Sequence, residues 1–243
     1  MFDLSIETAI QHHAHNCYPQ ESCGFVIENY GYYPCKNIAE DPKNTFLIAV
    51  KEQLAAEKIG KIVAVVHSHP DGPDYPSEAD MAQQVASGLA WGIVYVSAKG
   101  CNDVVWFGDS AEKAPLISRG FRHGVTDCYA LIRDWYLAEK NISLKEFPRS
   151  WDWWNQKQNL YLDGLKPASF IIVDESEIQI GDVFLAQIRS DVPNHGGIYL
   201  GNGLILHHLA AHDPVDLSRL SVREPVYRWK KFITHWIRYV EKN

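Results

Sequence analysis

The sequence predicts an α/β (α+β) protein of two domains, and three observations support this prediction. A chain of 243 residues matches two domains of ordinary size better than one large domain. Apolar, β-branched runs alternate with amphipathic segments of helical period along the chain. A polar stretch without period, residues 109–117, interrupts this pattern near the middle. We therefore expect one domain over residues 1–110 and another over residues 117–243.

The first half contains helices and strands in alternation. Residues 4–18 carry apolar side chains at helical spacing, whereas residues 23–27 and 62–66 are short apolar runs typical of buried strands. In chain order we expect a helix at 4–18, a strand at 23–27, a turn at 29–33 into a second strand, a helix at 51–58, a strand at 62–66, a helix at 77–89 and a strand at 92–96, with residues 101–107 closing the domain. Three histidines on the first helix, His12, His13 and His15, form either a chelating group or a solvated face.

A candidate metal site follows the strand at 62–66. His67 and His69 are two positions apart, so their imidazoles lie on the same side of an extended chain. Asp80 follows in the first turn of the next predicted helix. Two imidazoles and one carboxylate match the three protein ligands of a catalytic zinc site. The alternative is a histidine-rich turn without a metal.

The pattern H-x-H-x7-S-x2-D, with a glutamate upstream of an early strand, resembles the JAB/JAMM metallopeptidase family. This resemblance implies a mixed-sheet domain in which His67, His69 and Asp80 bind Zn²⁺. It also implies that Glu21 is the general base for a water molecule that the zinc ion activates, and that Ser77 hydrogen-bonds the tetrahedral intermediate. A domain of this type with a blocked pocket remains the alternative.

A candidate nucleophile begins the main helix of the second half. Asp127 is well placed as the N-cap of a helix over residues 128–137, and Cys128 lies in its first turn. The helix dipole should lower the pKa of a thiol at this position. A cysteine at a helix start is otherwise a small buried residue, so the assignment needs partner side chains.

Two histidines supply such partners. Residues 195–207 predict a β-hairpin, with a tight turn at 201–203, that brings His195 close to His207. A base and a group that orients it are what a thiol nucleophile requires. His208 and His212 are alternatives to His207.

The motifs D-C before an apolar helix, G-D-V-F-L and H-x-G-I-Y-L-G-N-G followed by I-L-H resemble the NlpC-like, papain-related cysteine peptidases of peptidoglycan stems. The resemblance implies that Cys128 is the nucleophile, His195 the base and His207 its orienting group. The backbone N–H of Cys128 would form part of the oxyanion hole. One departure is that Tyr129 and Ala130 follow the cysteine where that family has D-C-S-G, which changes the pocket wall.

An aromatic run at residues 151–154, W-D-W-W, has two interpretations. It either packs over the second domain or lines a groove that faces a glycan.

Composition excludes several classes of function. The net charge of −7 argues against a nucleic-acid partner. No apolar stretch has the length of a membrane span, and the first residues lack the regions of a signal peptide. Five cysteines without the spacing of a disulfide framework indicate reduced thiols and synthesis in a cytoplasm.

A JAB/JAMM-like half followed by an NlpC-like half resembles the tail tip assembly proteins of lambda-like phages. This resemblance implies a two-site peptidase whose cysteine site cleaves peptidoglycan stem peptides and whose zinc site processes a tail or assembly protein. The implied partners are peptidoglycan peptides and other phage tail tip proteins. The implied location is the cytoplasm of the infected host during assembly, or the virion tail tip. The alternatives are a non-catalytic assembly factor with vestigial sites and a bacterial deconjugase of ubiquitin-like tags.

Overall fold

Helices and strands occur throughout residues 2–241, the part of the chain that this computed structural model describes. The chain divides into two units, and the boundary in the sequence lies between Glu112 and Lys113, within the stretch expected as a linker. Among the described residues, no helix combines the length and the apolar character needed to cross a membrane. The mixture of helix and sheet confirms the predicted fold class.

Over residues 2–112, the first unit contains three helices and six strands. They are α1 (Leu4–Cys17), β1 (Cys23–Ile27), β2 (Gly31–Cys35), α2 (Val50–Ile59), β3 (Ile62–Pro70), α3 (Glu78–Ser87), β4 (Ala90–Ser97), β5 (Gly100–Cys101) and β6 (Val105–Phe107). The order of elements agrees with the sequence prediction. The main difference is the length of β3. The strand was predicted to end at residue 66, but it continues to Pro70.

These strands form one mixed sheet in the order β2-β1-β3-β4-β5, with β6 also paired to β4. Strands β3 and β4 are parallel, and the other pairs are antiparallel. Helix α1 buries Ile10 and Ala14 against side chains of β1, β3 and β4, including Val26, Val66 and Val94. This packing fixes β1 beside the end of β3, where the candidate metal ligands lie.

Over residues 113–241, the second unit contains two α-helices and eight strands. They are β7 (Gly120–Arg122), α4 (Cys128–Lys140), α5 (Leu160–Asp163), β8 (Phe170–Val173), β9 (Val183–Ala186), β10 (His195–Gly201), β11 (Leu204–His207), β12 (Val215–Leu220), β13 (Val222–Pro225) and β14 (Ile233–Tyr239). Six strands form an antiparallel sheet in the order β13-β11-β10-β9-β14-β8. Strands β7 and β12 form a separate pair.

Helix α4 packs across this sheet through its apolar face. Leu131, Ile132 and Trp135 are buried in one cluster with Val183 and Ile198 of the sheet. Each fully buried side chain of this size stabilises the fold by roughly 1.5–3 kcal/mol relative to an exposed one. The packing therefore holds the first turn of α4 over β10.

The turn between β10 and β11 explains why the hairpin forms. Gly201, Asn202 and Gly203 all have positive φ angles, of 86°, 52° and 70°. Glycine and asparagine adopt this left-handed region more readily than other residues. The predicted hairpin is confirmed, with His207 paired to Gly197 in the antiparallel register.

Candidate active sites

The metal ligands predicted in the first unit converge at one point. His67 and His69 lie in the last residues of β3, and Asp80 lies in the first turn of α3. The Nε2 atoms of the two histidines are 2.9 Å apart. The Asp80 carboxylate lies 3.2 Å from His67 Nε2 and 3.5 Å from His69 Nε2. All three side chains are buried and form one group of potential ligand atoms.

Ser77 fixes the orientation of the Asp80 carboxylate. It is the N-cap of α3, and its Oγ accepts a hydrogen bond from the Asp80 backbone N–H at 3.1 Å. Oδ2 of Asp80 in turn accepts from the Ser77 N–H and Oγ–H, at 2.8 and 2.7 Å. These bonds occupy Oδ2 and leave Oδ1, which faces His67, as the oxygen available to a cation. In this structure, Ser77 thus positions a candidate ligand. Its expected contact with a reaction intermediate stays a prediction.

The two imidazoles have different environments. His69 Nδ1 lies 2.7 Å from the carbonyl oxygen of Pro73, so it donates its proton there and directs the Nε2 lone pair inward. His67 stacks against Phe46 with ring centroids 4.7 Å apart. Its Nδ1 is buried and, within residues 2–241, has no hydrogen-bond partner. Burial lowers the pKa of His67, which favours the neutral form that binds a metal.

The spacing of the donor atoms fits a tetrahedral metal ion. An ion with bonds of about 2.0–2.1 Å holds its ligand atoms roughly 3.3 Å apart. The distances of 2.9 Å between the Nε2 atoms of His67 and His69 and 3.2 Å between His67 Nε2 and Asp80 Oδ1 lie just below that value. Burial alone would raise the pKa of Asp80, but hydrogen bonds from both histidines hold it well below its usual range. The group therefore presents two imidazole nitrogens and one charged oxygen, a donor set suited to a divalent cation.

Glu21 lies beside this group because of the pairing of β1 with β3. Cys23 pairs with His67, and the Ser68 N–H donates to the Ser22 carbonyl at 3.0 Å, which brings residue 21 alongside His69. The Glu21 side chain is 6% exposed. Burial raises the pKa of its carboxyl to about 7. Such a carboxyl exchanges protons near neutral pH, as a general base must.

The candidate nucleophile of the second unit is in the first turn of α4, as predicted. Asp127 caps the helix by accepting the Ala130 N–H at 2.9 Å. The expected effect on the thiol is wrong, however. Burial, together with the charge of Asp127, raises the pKa of Cys128 to about 11. The helix dipole does not overcome the loss of solvation at this half-buried sulfur.

His195 and His207 form the predicted pair. His195 Nε2 lies 3.1 Å from His207 Nδ1, and both side chains are buried. Burial lowers the pKa of both imidazoles, that of His195 well below 6.5 and that of His207 to about 4. Trp229 packs against His207 with ring centroids 4.3 Å apart. When the His195 Nε2–H donates to His207, its Nδ1 remains free to accept a proton.

His208 and His212, the alternatives to His207, do not contact His195 in this way. Both ring nitrogens of His208 face backbone carbonyl oxygens, that of Thr126 at 2.6 Å and that of Arg219 at 2.8 Å. His212 is exposed on the wall of the nearby cavity. Of the three candidates, His207 is the one hydrogen-bonded to His195 among the described residues.

An ion-pair network beside the nucleophile was not predicted. Arg149 is buried and contacts Asp127 and Glu146, each at 2.7 Å. Glu146 also pairs with Arg133 of α4. These contacts tie the segment 141–169, between α4 and β8, to the start of α4. No local pattern signals them, because each joins residues that are distant in the sequence or lie in an irregular segment.

Tyr161 is another group that the sequence did not indicate. Its Oη lies 3.3 Å from Cys128 Sγ. The thiol also contacts the backbone N–H of Gly196, next to His195. Within the described part of the chain, no hydrogen bond joins the thiol to His195 itself.

A cavity of about 770 Å³ opens onto this site. Cys128 and His195 lie in its wall. The aromatic run contributes Trp151, Trp153 and Trp154, of which Trp153 is 4% exposed. The run therefore both packs into the unit and lines the cavity, so the two interpretations of the sequence are not exclusive.

Comparison with known families agrees with this division. The family model for prokaryotic homologs of the JAB domain matches residues 4–107, and the NlpC/P60 family model matches residues 106–237. A crystal structure of an NlpC/P60 family protein from Bacillus cereus is 11% identical, covers 95% of this chain and 67% of its own, and has a TM-score of 0.34. The family assignment rests on the sequence models.

Two curated relatives share most of the chain. Tail tip assembly protein K of Escherichia phage lambda is 44% identical over 170 residues, which are 70% of this chain and 78% of that protein. Tail tip assembly protein K of Escherichia phage N15 is 34% identical over 209 residues, 84% of each chain. The predicted resemblance is confirmed. The chain therefore belongs to the NlpC/P60 family and to the family of tail tip assembly protein K, with a JAB-type domain in front of its NlpC/P60 domain.

Proposed function

We propose that this protein acts in phage tail tip assembly and is a peptidase with two sites. The second unit would cleave the stem peptides of peptidoglycan with Cys128. The first unit would be a zinc metallopeptidase that processes a tail or assembly protein. The observation that carries the proposal is that a cysteine at a helix start and His195, which is hydrogen-bonded to His207, line one cavity.

The cysteine site has the groups for acyl transfer. His195 takes the thiol proton through Nδ1, and Cys128 Sγ attacks the carbonyl carbon of the scissile peptide bond. His207 accepts the His195 Nε2–H and so holds the ring in the required tautomer. The backbone N–H of Cys128, at the positive end of α4, stabilises the oxyanion. His195 then protonates the leaving amine, and a water molecule hydrolyses the thioester.

The first unit has the groups for hydrolysis with a metal ion. His67, His69 and Asp80 would hold Zn²⁺, which when bound lowers the pKa of a coordinated water molecule to near 7. Glu21 would accept the proton of the attacking water and transfer it to the leaving nitrogen. Its pKa of about 7 supports both transfers.

The setting follows from the relatives. Their shared name supports a role during tail tip assembly, with other phage tail tip proteins as partners. The place of action proposed for this role is the cytoplasm of the infected host. A protein retained at the virion tail tip would reach peptidoglycan directly. The net charge of −7 does not favour a nucleic-acid partner.

Incubation with purified peptidoglycan tests the proposal. The full-length protein should release soluble peptides with new amino termini, which mass spectrometry identifies. Cys128→Ala should release none, because no other side chain of the cavity can form the thioester. Cys101→Ala, which removes a half-buried thiol of the first unit, is the control and should act like the wild-type protein.

The second candidate is an assembly factor with a vestigial cysteine site. The raised pKa of Cys128 and its hydrogen bond to Tyr161, rather than to His195, favour this alternative. It predicts that Cys128→Ala still supports the assembly of infective tails. The peptidase predicts that wall digestion is lost in the same variant.

A further inference from the structure

The thiol of Cys128 has two hydrogen-bonding neighbours, and one of them lies outside the nucleophile–histidine arrangement. Tyr161 Oη is 3.3 Å from Sγ. The second neighbour is the backbone N–H of Gly196. Tyr161 belongs to the short helix α5, within the segment 141–169 that forms one wall of the cavity. A side chain from this segment thus reaches the reacting atom.

The hydroxyl of Tyr161 can act only as a neutral donor when the sulfur is ionised. Burial raises the pKa of this phenol well above its usual range, so it keeps its proton while the thiol titrates. A thiolate has no proton to donate. The O–H therefore donates to sulfur in the ionised state, and a hydrogen bond to a charged acceptor is stronger than one between neutral groups.

Several contacts hold this hydroxyl in place. The Tyr161 ring lies 6.0 Å from the ring of Trp153 and 6.3 Å from that of Tyr129, both in edge-on geometry. Gly196 lies beside the hydroxyl, since a Cβ added there would be in van der Waals contact with Oη at 3.4 Å. The donor is therefore positioned before any substrate binds.

The surroundings of the sulfur otherwise oppose its ionisation. Cys128 is half-buried, which raises the pKa of its thiol, and the negative charge of Asp127 lies next to it in the chain. Arg149 offsets part of that charge through its ion pair with Asp127. Direct hydrogen-bond donors to sulfur thus add to the stabilisation of a thiolate that the cation formed at His195 would provide.

We propose that the Tyr161 hydroxyl is a catalytic group of the cysteine site, which donates a hydrogen bond to the Cys128 thiolate and thereby makes segment 141–169 part of the active site. This inference rests on the proposed role of Cys128 as nucleophile. It assigns the segment a direct chemical function beyond forming the wall of the cavity.

The test is the pH dependence of Cys128 alkylation in the full-length protein. Iodoacetamide labelling is followed at Cys128 by peptide mapping between pH 7 and 10, without substrate. Tyr161→Phe keeps the ring and removes the donor. We expect labelling about five-fold slower at each pH, the factor of a typical single hydrogen bond. Replacement of Tyr161 by 3-fluorotyrosine, a stronger donor, should accelerate labelling.

Tyr129→Phe is the matched control. The Tyr129 ring packs against Tyr161, but its hydroxyl donates to the Lys145 carbonyl at 2.5 Å and not to the sulfur. We expect its labelling profile to equal that of the wild-type protein. A change of equal size in both variants would overturn the proposal, because it would reflect packing alone.

The outcomes separate this inference from the proposed function. An unchanged profile in Tyr161→Phe overturns the role of the hydroxyl, whether or not the protein digests peptidoglycan. Suppose that the wild-type protein releases no peptides but that Tyr161→Phe is labelled more slowly. This result would support the hydrogen bond to the thiolate and contradict the proposed peptidase activity.

Discussion

Nη2 of Arg149 lies 2.7 Å from Oδ2 of Asp127, and both side chains are buried. Asp127 also caps α4, directly before the candidate nucleophile Cys128. One ion pair thus connects segment 141–169 with the helix start that carries the thiol. Its loss would leave a buried carboxylate without its main counter-charge.

The first prediction is that Arg149→Met destabilises the protein. Removal of one partner of a buried ion pair typically costs about 3–5 kcal/mol, because the other charge remains buried. Urea unfolding measures this loss. Lys230→Met is the control, since Lys230 forms an exposed pair with Glu175 at 2.9 Å. It should change the free energy of unfolding by less than about 0.5 kcal/mol. Equal effects of the two substitutions would contradict the structural role of Arg149.

The second prediction concerns the pH dependence of peptide release from peptidoglycan. His195 must be neutral to accept the thiol proton. Burial, with a further contribution from the neighbouring His207, lowers the pKa of His195 well below 6.5. Activity should therefore persist as the pH falls through 6.5 and decline only in more acidic solution. If peptide release falls on acidification with a midpoint at or above pH 6.5, His195 is not held neutral by burial.

The third prediction is that the first unit binds about one zinc ion per chain through His67, His69 and Asp80. Elemental analysis after purification without an affinity-tag metal should find it, and His67→Ala should lose it. Ser77→Ala should weaken zinc binding by about 10–100-fold, because the Asp80 carboxylate loses the Ser77 Oγ–H bond that helps to orient it. Ser5→Ala removes a comparable bond, to Asp3 at the start of α1, and should leave zinc binding unchanged. Metal-free native protein would contradict the assignment.

The fourth prediction separates Glu21 from the metal ligands. Glu21→Gln should retain zinc, because the carboxylate is not among the three ligands that converge. Any hydrolysis that His67→Ala abolishes should also be lost in Glu21→Gln, since an amide cannot accept the proton of water. Zinc content and turnover are measured on the same samples. Retained turnover would mean that another group is the base.

The sequence was sufficient to predict those site residues that are placed together by a single strand, helix start or hairpin. His67 and His69 alternate along a strand, Ser77 and Asp80 form a cap within one helical turn, and Cys128 follows its own N-cap. Periodicity and capping rules describe such relationships directly. The predicted hairpin was equally local, because its turn residues adopt positive φ.

The sequence was insufficient to predict site residues that are brought together by packing between distant parts of the chain. Tyr161 and Arg149 lie in an irregular segment, and their contacts with Cys128 and Asp127 span 33 and 22 positions. The direction of the Cys128 pKa also depends on how deeply the fold buries the sulfur. A helix start by itself indicates a lowered pKa, which burial reverses here.

The central claim is that the two sites act independently, and wall digestion in the presence of a zinc chelator tests it most directly. The full-length protein should release the same peptides from purified peptidoglycan with and without the chelator. His67→Ala should digest the wall like the wild-type protein, and Cys128→Ala should release nothing while keeping its zinc. If the chelator stops peptide release without unfolding the protein, the metal site takes part in wall digestion and the proposed division of labour is wrong.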